Sequence, residues 1–249
     1  YLASNGIIVV CVDGRGTGAR GEAFRKCTYL RMGELESRDQ VEAAQALGKL
    51  PYIDKDRIAI WGWSFGGYNT LMALSTGNGT FKVGIAVAPP TDWKYYDSVY
   101  TERFMRTPQE NFEGYAATSP LRRVKDLQGK LLLVHGTADD NVHFMQTMEY
   151  AEALVQANKQ FDMHVYKDRN HSIYGGNTRY HLHDTPLAAD QQIYDGNDAD
   201  FCLLTASVMD SDMLRWWLLA MGAQVEVLEP ASLRNEICSK LQAALGHYA

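Results

Sequence analysis

The sequence predicts an α/β fold built on a mostly parallel, doubly wound sheet. Two observations predict it. Short runs rich in β-branched and other apolar residues alternate with segments whose apolar residues recur at helical spacing. The connections between them are short and carry Gly, Pro, Asn and Asp, the residues that turn a chain.

Taken in order, Gly6–Val12 is a continuous apolar run and reads as a central parallel strand, with Cys11 as a small core residue. Asp13–Gly18 reads as a tight glycine-rich connection packed against the turn at Ser64. As a phosphate-binding loop it lacks both the dinucleotide spacing and a Gly-Lys-Ser/Thr ending. Ser37-Arg-Asp-Gln40 resembles a capping box, and Val41, Ala44 and Leu47 continue at helical spacing. Arg57–Trp61 reads as a strand, Gly62–Gly67 as a turn and Tyr68–Leu74 as a helix. Phe81–Ala88, Lys130–His135 and Phe161–Tyr166 read as further strands, with a helix over 144–158. In the aromatic stretch Trp93–Tyr100, Tyr96 and Tyr100 share a helical face. That stretch either packs the core or lines a pocket at the C-terminal ends of the strands, where open α/β sheets bind ligands.

The chain has 249 residues and a net charge of −6. One large core, or one core and a small appendage, is what that length supports. The negative balance and the lack of a basic patch argue against a nucleic-acid surface. No apolar run reaches membrane-spanning length. Four cysteines, Cys11, Cys27, Cys202 and Cys238, stand far apart without metal-ligand or redox spacing. No metal or other cofactor is expected; the pair His181 and His183 has no carboxylate or cysteine cluster to support a metal. The opening at Tyr1 carries no initiator Met and no signal peptide, so a piece of a longer chain is expected. Asn78-Gly-Thr80 matches a glycosylation sequon, a weak signal by itself.

Gly62-Trp-Ser64-Phe-Gly66-Gly67 places a serine at the apex of a sharp strand-to-helix turn. Such a bend needs tiny neighbours, and the helix N-terminus beneath it favours developing negative charge. A serine hydroxyl needs an imidazole to take its proton and a carboxylate to orient that imidazole. Asp139 or Asp140 lies just past one strand, and His171 just past the next. Ser, Asp, His in that order is the α/β-hydrolase arrangement, and all three positions fall at C-terminal strand ends. The backbone N–H of Phe65 would serve as an oxyanion donor. Spacing alone does not choose between Asp139 and Asp140.

Residues 1–182 resemble the catalytic domain of the prolyl oligopeptidase family of serine peptidases, in its dipeptidyl peptidase branch. The stretches that carry the resemblance are Val12–Gly18, Ile60–Gly67, Trp93–Arg103, His135–Val142 and Asn170-His171. The resemblance implies Ser64 as nucleophile, Asp139 rather than Asp140 as the orienting acid and His171 as general base. It implies that Trp93, Tyr96, Tyr100 and Val142 wall a slot for a proline ring, and that Asn141 bonds the substrate backbone. Implied substrates are peptides with a free N-terminus and Pro or Ala in second place. The family also implies export to a periplasmic or extracellular site, and a homodimer. Its members carry a β-propeller and a tyrosine oxyanion donor upstream, neither of which this sequence shows. Lack of one oxyanion donor implies a turnover lower by about a hundred- to a thousandfold. A broader acylaminoacyl peptidase or esterase is the alternative on the same scaffold.

The remainder, 183–249, changes style. A helix beginning at Thr178–Leu182 is broken by His183-Asp-Thr-Pro186. A strand over 201–208, a helix over 213–220 stopped at Gly222, a short strand Val225–Leu228 and a helix through Leu233, Ile237 and Leu241 make a small α+β unit. Leu214–Leu219, Gly222 and Val225–Pro230 make it similar to the C-terminal part of WYL-domain transcriptional regulators. That resemblance implies a ligand-sensing or interaction role as the non-catalytic alternative. A fused or wrongly joined sequence is the expected reason for the change at His183.

Overall fold

The structure is a computed structural model that describes residues 2–173, 187–195, 202–221 and 225–246. Its contacts divide the chain into two units, Tyr1–Tyr174 and Gly175–Ala249.

The first unit holds four parallel strands in sequential order: β1 (Ala59–Trp63), β2 (Val83–Val87), β3 (Lys130–Gly136) and β4 (Asp162–Tyr166). Parallel neighbours need a crossover, and helices supply each one. Helix α1 (Glu22–Lys26) and helix α2 (Glu34–Leu47) precede β1, and α3 (Phe65–Thr76) joins β1 to β2. Helices α4 (Ser98–Met105) and α5 (Phe112–Ala117) follow β2, and α6 (Met145–Gln156) links β3 to β4. Side chains alternate across the sheet with period two. Ala86, Leu131 and Leu133 therefore point to one face, where they pack with Val41 and Ala44 of α2, Leu71 and Leu74 of α3, and Tyr150 and Leu154 of α6. Each fully buried aliphatic side chain there contributes about 1.5–3 kcal/mol.

Two expectations are corrected near the start of the chain. Gly6–Val12 joins no sheet among the described residues, and Ile7, Ile8, Val9 and Val10 are each at least half exposed. A run of this composition is a stable central strand only with a neighbour on each side, and β1 is paired with β2 alone. Cys11 is accordingly exposed and not a core residue. The Asp13–Gly18 loop finds its anchor on α2. The Arg15 backbone N–H donates to Asp39 Oδ2 at 2.7 Å, and the Arg15 side chain pairs with the same carboxylate.

Helix α2 begins four residues earlier than the capping pattern at Ser37 predicts. Gly33 is the residue before its first turn, and its N–H donates to the Glu36 carboxylate at 2.8 Å. Ser37 lies inside the helix, where its hydroxyl donates back to Gly33 O at 2.7 Å. Burial pushes the Glu36 carboxyl up to about 7 from its ordinary 4.5.

In the second unit, β5 (Gln192–Asp195) and β6 (Cys202–Thr205) form an antiparallel pair. Helices α7 (Asp212–Met221) and α8 (Ala231–Gly246) follow. Arg215 of α7 donates through Nε to both oxygens of Glu236 on α8, each at 2.9 Å, and Leu218 and Ile237 are buried. Val225–Leu228, expected as a strand, is not one; β5 was not anticipated. The expected helix at 178–182, its break at 183–186, the pair His181 and His183, and Gly222 lie outside the described residues.

The proton that Glu36 holds in the folded state gives a pH signature. This stabilising contribution is complete below about 4.5 and is lost as the pH rises through about 7. Urea denaturation of Glu36→Gln is therefore expected to lack that decline, with the variant gaining on the wild type as the pH is raised.

Candidate active site

Ser64 joins β1 to α3 with φ 57° and ψ −118°, a conformation that side chains other than glycine rarely adopt. Backbone bonds hold it there: Ser64 N–H donates to Val87 O at 2.8 Å, and Tyr68 N–H donates to Ser64 O at 2.9 Å. The neighbouring glycines let the strand and helix close in. A Cβ at Gly62 would overlap the Gly66 carbonyl, and one at Gly67 would lie 2.8 Å from Val87 O. At Gly66 a Cβ would meet nothing within 4 Å. Phe65 is the first residue of α3, so its N–H is among those a helix leaves without an internal partner.

Asp139 sits in the loop after β3 and is buried. Its Oδ1 accepts from the backbone N–H groups of Asn141 (3.0 Å) and Val142 (2.9 Å). Its Oδ2 accepts from His171 Nδ1 at 2.7 Å and from His135 Nε2 at 3.0 Å. Asp140, the other candidate by spacing, is exposed.

His135 ends the expected strand Lys130–His135, and its contact with the carboxylate was not foreseen. Its ring is fully buried, with Nε2 also donating to Val142 O at 2.9 Å and Nδ1 accepting from Thr147 Oγ1 at 2.7 Å. Burial lowers its pKa, so it stays a neutral donor. The signal was present in the sequence as two positions, His135 and Asp139, one at the end of a strand and one in the loop it enters.

His171 is half-buried and its loop is tied to the loop after β3. Ala138 N–H donates to Arg169 O at 3.0 Å, and Asp168 N–H donates to Thr137 Oγ1 at 2.8 Å. Gly136 permits this approach, since a Cβ there would overlap the Arg169 carbonyl. On the other side, Trp63 Nε1 donates to His171 O at 2.9 Å. Asp139 and His171 are thus joined directly. Ser64 Oγ has no hydrogen-bond partner among the described residues.

Beside these groups lies an aromatic cluster. Trp93 is buried in a short 3₁₀ turn, Tyr96 follows it in extended backbone, and Tyr100 lies on α4. Tyr96 is therefore not on Tyr100's helix, yet the two rings meet edge to face at 5.4 Å. Trp93 stands 6.1 Å from Tyr96, 6.3 Å from Tyr100 and 5.8 Å from Phe65, ring centre to ring centre. Tyr96 OH donates to Asn141 Oδ1 at 2.7 Å, which leaves the Asn141 amide N–H groups as donors. Burial raises the phenol pKa of Tyr96 and Tyr100, keeping both neutral. Val142 is fully buried next to Asn141. Chemically, a carboxylate-oriented imidazole, an apex hydroxyl and a helix N-terminus suit acyl transfer.

Among the described residues no three His, Cys, Asp or Glu are grouped to hold a metal, and no helix is long and apolar enough to cross a membrane.

Comparison with known proteins extends this geometry. The prolyl oligopeptidase family model matches residues 1–188. The WCX domain model, a WYL-associated domain, matches residues 176–245. A probable dipeptidyl-aminopeptidase B of Arthroderma gypseum is 51% identical over 178 residues, 70% of this chain and 19% of that protein. Dipeptidyl peptidase 4 of Felis catus is 48% identical over 187 residues, 74% of this chain and 24% of that protein. The crystal structure of Porphyromonas gingivalis dipeptidyl peptidase 4 matches with a TM-score of 0.67 at 67% identity, over 70% of this chain and 25% of that one. The chain spans between 19% and 25% of the length of these relatives.

Two substitutions test the packing that holds the site. Gly62→Ala is expected to cost about 1–3 kcal/mol through overlap with Gly66, while Gly66→Ala stays within about 1 kcal/mol of the wild type, read as urea midpoints. Asp139→Asn is expected to cost about 3 kcal/mol, because an amide would face two imidazole N–H groups, whereas Asp140→Asn changes the same midpoint by less than about 0.5 kcal/mol.

Proposed function

This chain belongs to the prolyl oligopeptidase family, and we propose that its first unit is a serine peptidase that releases N-terminal dipeptides with Pro or Ala in second place. The observation that carries the proposal is the 2.7 Å bond between His171 Nδ1 and Asp139 Oδ2, at the sheet edge where the strained Ser64 follows β1.

In this reading Ser64 Oγ attacks the scissile carbonyl carbon while its proton passes to His171 Nε2. The oxyanion that forms is met by the N–H of Phe65 at the start of α3. The C–N bond then breaks, His171 returns the proton to the leaving amine, and an acyl-enzyme remains. Water, deprotonated by His171, attacks the acyl carbon and frees the dipeptide and Ser64. Asp139 stabilises the imidazolium at each stage without itself taking the proton. Trp93, Tyr96, Tyr100 and Val142 take the penultimate ring. A proline has no N–H to satisfy, so apolar walls suit it, with discrimination of about 1–3 kcal/mol per methylene-sized misfit. Asn141 donates to the substrate backbone. The relatives named dipeptidyl peptidase 4 and dipeptidyl-aminopeptidase B support the substrate class.

The WCX match favours a second role for residues beyond 182. We place the boundary of the catalytic part there and propose that 183–249 acts as a ligand-sensing or interaction module.

A fluorophosphonate probe tests the catalytic assignment. Ser64 is expected to be labelled, as located by mass spectrometry of the digest, and Ser64→Ala to fall to background. Undiminished labelling of Ser64→Ala overturns the assignment. Hydrolysis of a Gly-Pro amide in preference to an acyl ester separates the dipeptidyl peptidase from a broader esterase.

A further inference from the structure

The histidine loop is held unevenly. Towards Asp139 it has several ties: the Ala138–Arg169 and Thr137–Tyr166 backbone bonds, the Asp168–Thr137 bond and the imidazole–carboxylate bond itself. Towards the serine it has one among the described residues, the bond from Trp63 Nε1 to the carbonyl oxygen of His171. Trp63 is the last residue of β1 and the immediate neighbour of Ser64. Its backbone position is set by pairing with Val87, whose carbonyl also holds the Ser64 N–H. The indole therefore runs from the very element that fixes the hydroxyl to the backbone of the residue that must receive its proton.

We infer that Trp63 is a positioning residue: its indole N–H sets the distance between the serine turn and the His171 ring, a distance that Asp139 cannot set. Asp139 Oδ2 fixes the tautomer of the imidazole, but a single bond at Nδ1 leaves the ring free to swing about the carboxylate. A second anchor on the main chain of His171 removes that swing. Ser64 Oγ makes no bond to the ring among the described residues, so the resting protein relies on this anchor to keep the two within reach. Small errors of placement at such a site cost large factors in rate. The indole is partly exposed, so water can take over its N–H when the bond opens; the bond acts on placement more than on overall stability.

This inference rests on the proposed serine mechanism, and the test separates the two. Trp63 is replaced in the full chain by benzothienylalanine, which keeps the shape of the indole but puts sulfur in place of its N–H, and in parallel by Trp63→Phe. The second-order rate of Ser64 labelling by a fluorophosphonate is measured for each, together with the thermal midpoint. Both variants are expected to label about tenfold more slowly, with the midpoint of the benzothienylalanine protein unchanged within about 2 °C. On a His171→Ala background the same replacements are expected to have no further effect, which a merely structural residue would not show. Equal labelling rates for the wild type and the benzothienylalanine protein, or additive losses on the His171→Ala background, overturn the role of Trp63 alone. A wild type that does not label at Ser64 overturns the serine mechanism, and this inference with it.

Discussion

Everything at the sheet edge depends on one buried carboxylate. Asp139 accepts four hydrogen bonds, two from backbone N–H groups of its own loop and two from imidazoles. A buried anion is tolerated only when its lone pairs are filled, and here each oxygen is shared between two donors. The loop cannot shift without stranding that charge. This locks the turn after β3, and with it Asn141 and Val142 beside the aromatic cluster and His171 on the opposite side. One residue thus couples the placement of Asn141 and Val142 to the orientation of the imidazole. His135 makes the arrangement stiffer still, because it is held at both ring nitrogens, accepting from Thr147 at Nδ1 and donating from Nε2 to Val142 O as well as to the carboxylate.

The alternation of strands and helices was legible because the strands of the first unit are bracketed by turn residues and β1, β2 and β3 each lead on to helical segments. The Ser64 turn could be placed since Gly62 is demanded by the backbone of Gly66, four residues on, a local constraint. Ser64, Asp139 and His171 could be set at one edge because parallel strands deliver the loops after them to the same side. What stayed hidden involves particular side-chain contacts that no residue pattern announces. Trp63 reaches across 108 residues to His171, and no periodicity announces such a bond. His135 looked like a strand residue because it is one; only its ring reveals the second duty. The first turn of α2 was misplaced for a related reason. Ser37 and Gln40 have the right residue types, but Gly33 and Glu36 have the geometry.

Gly6–Val12 went wrong in the opposite way. Composition reports what a segment is suited to, and a β-branched apolar run is suited to the middle of a sheet. Whether it takes that place depends on neighbours that composition cannot supply. The second unit shows the same limit. Its helices were legible from their apolar spacing, whereas β5, four residues with little pattern, was found only through its pairing with β6.

The left-handed backbone of Ser64 carries a consequence for protein engineering. The pose belongs to the turn, enforced by Gly62, Gly67 and two main-chain bonds, and owes nothing to the hydroxyl itself. A thiol introduced at this position would inherit the same outward presentation without redesign of its surroundings. The turn is in that sense a holder for whichever reactive atom is installed, and the choice of nucleophile becomes separable from the backbone that presents it.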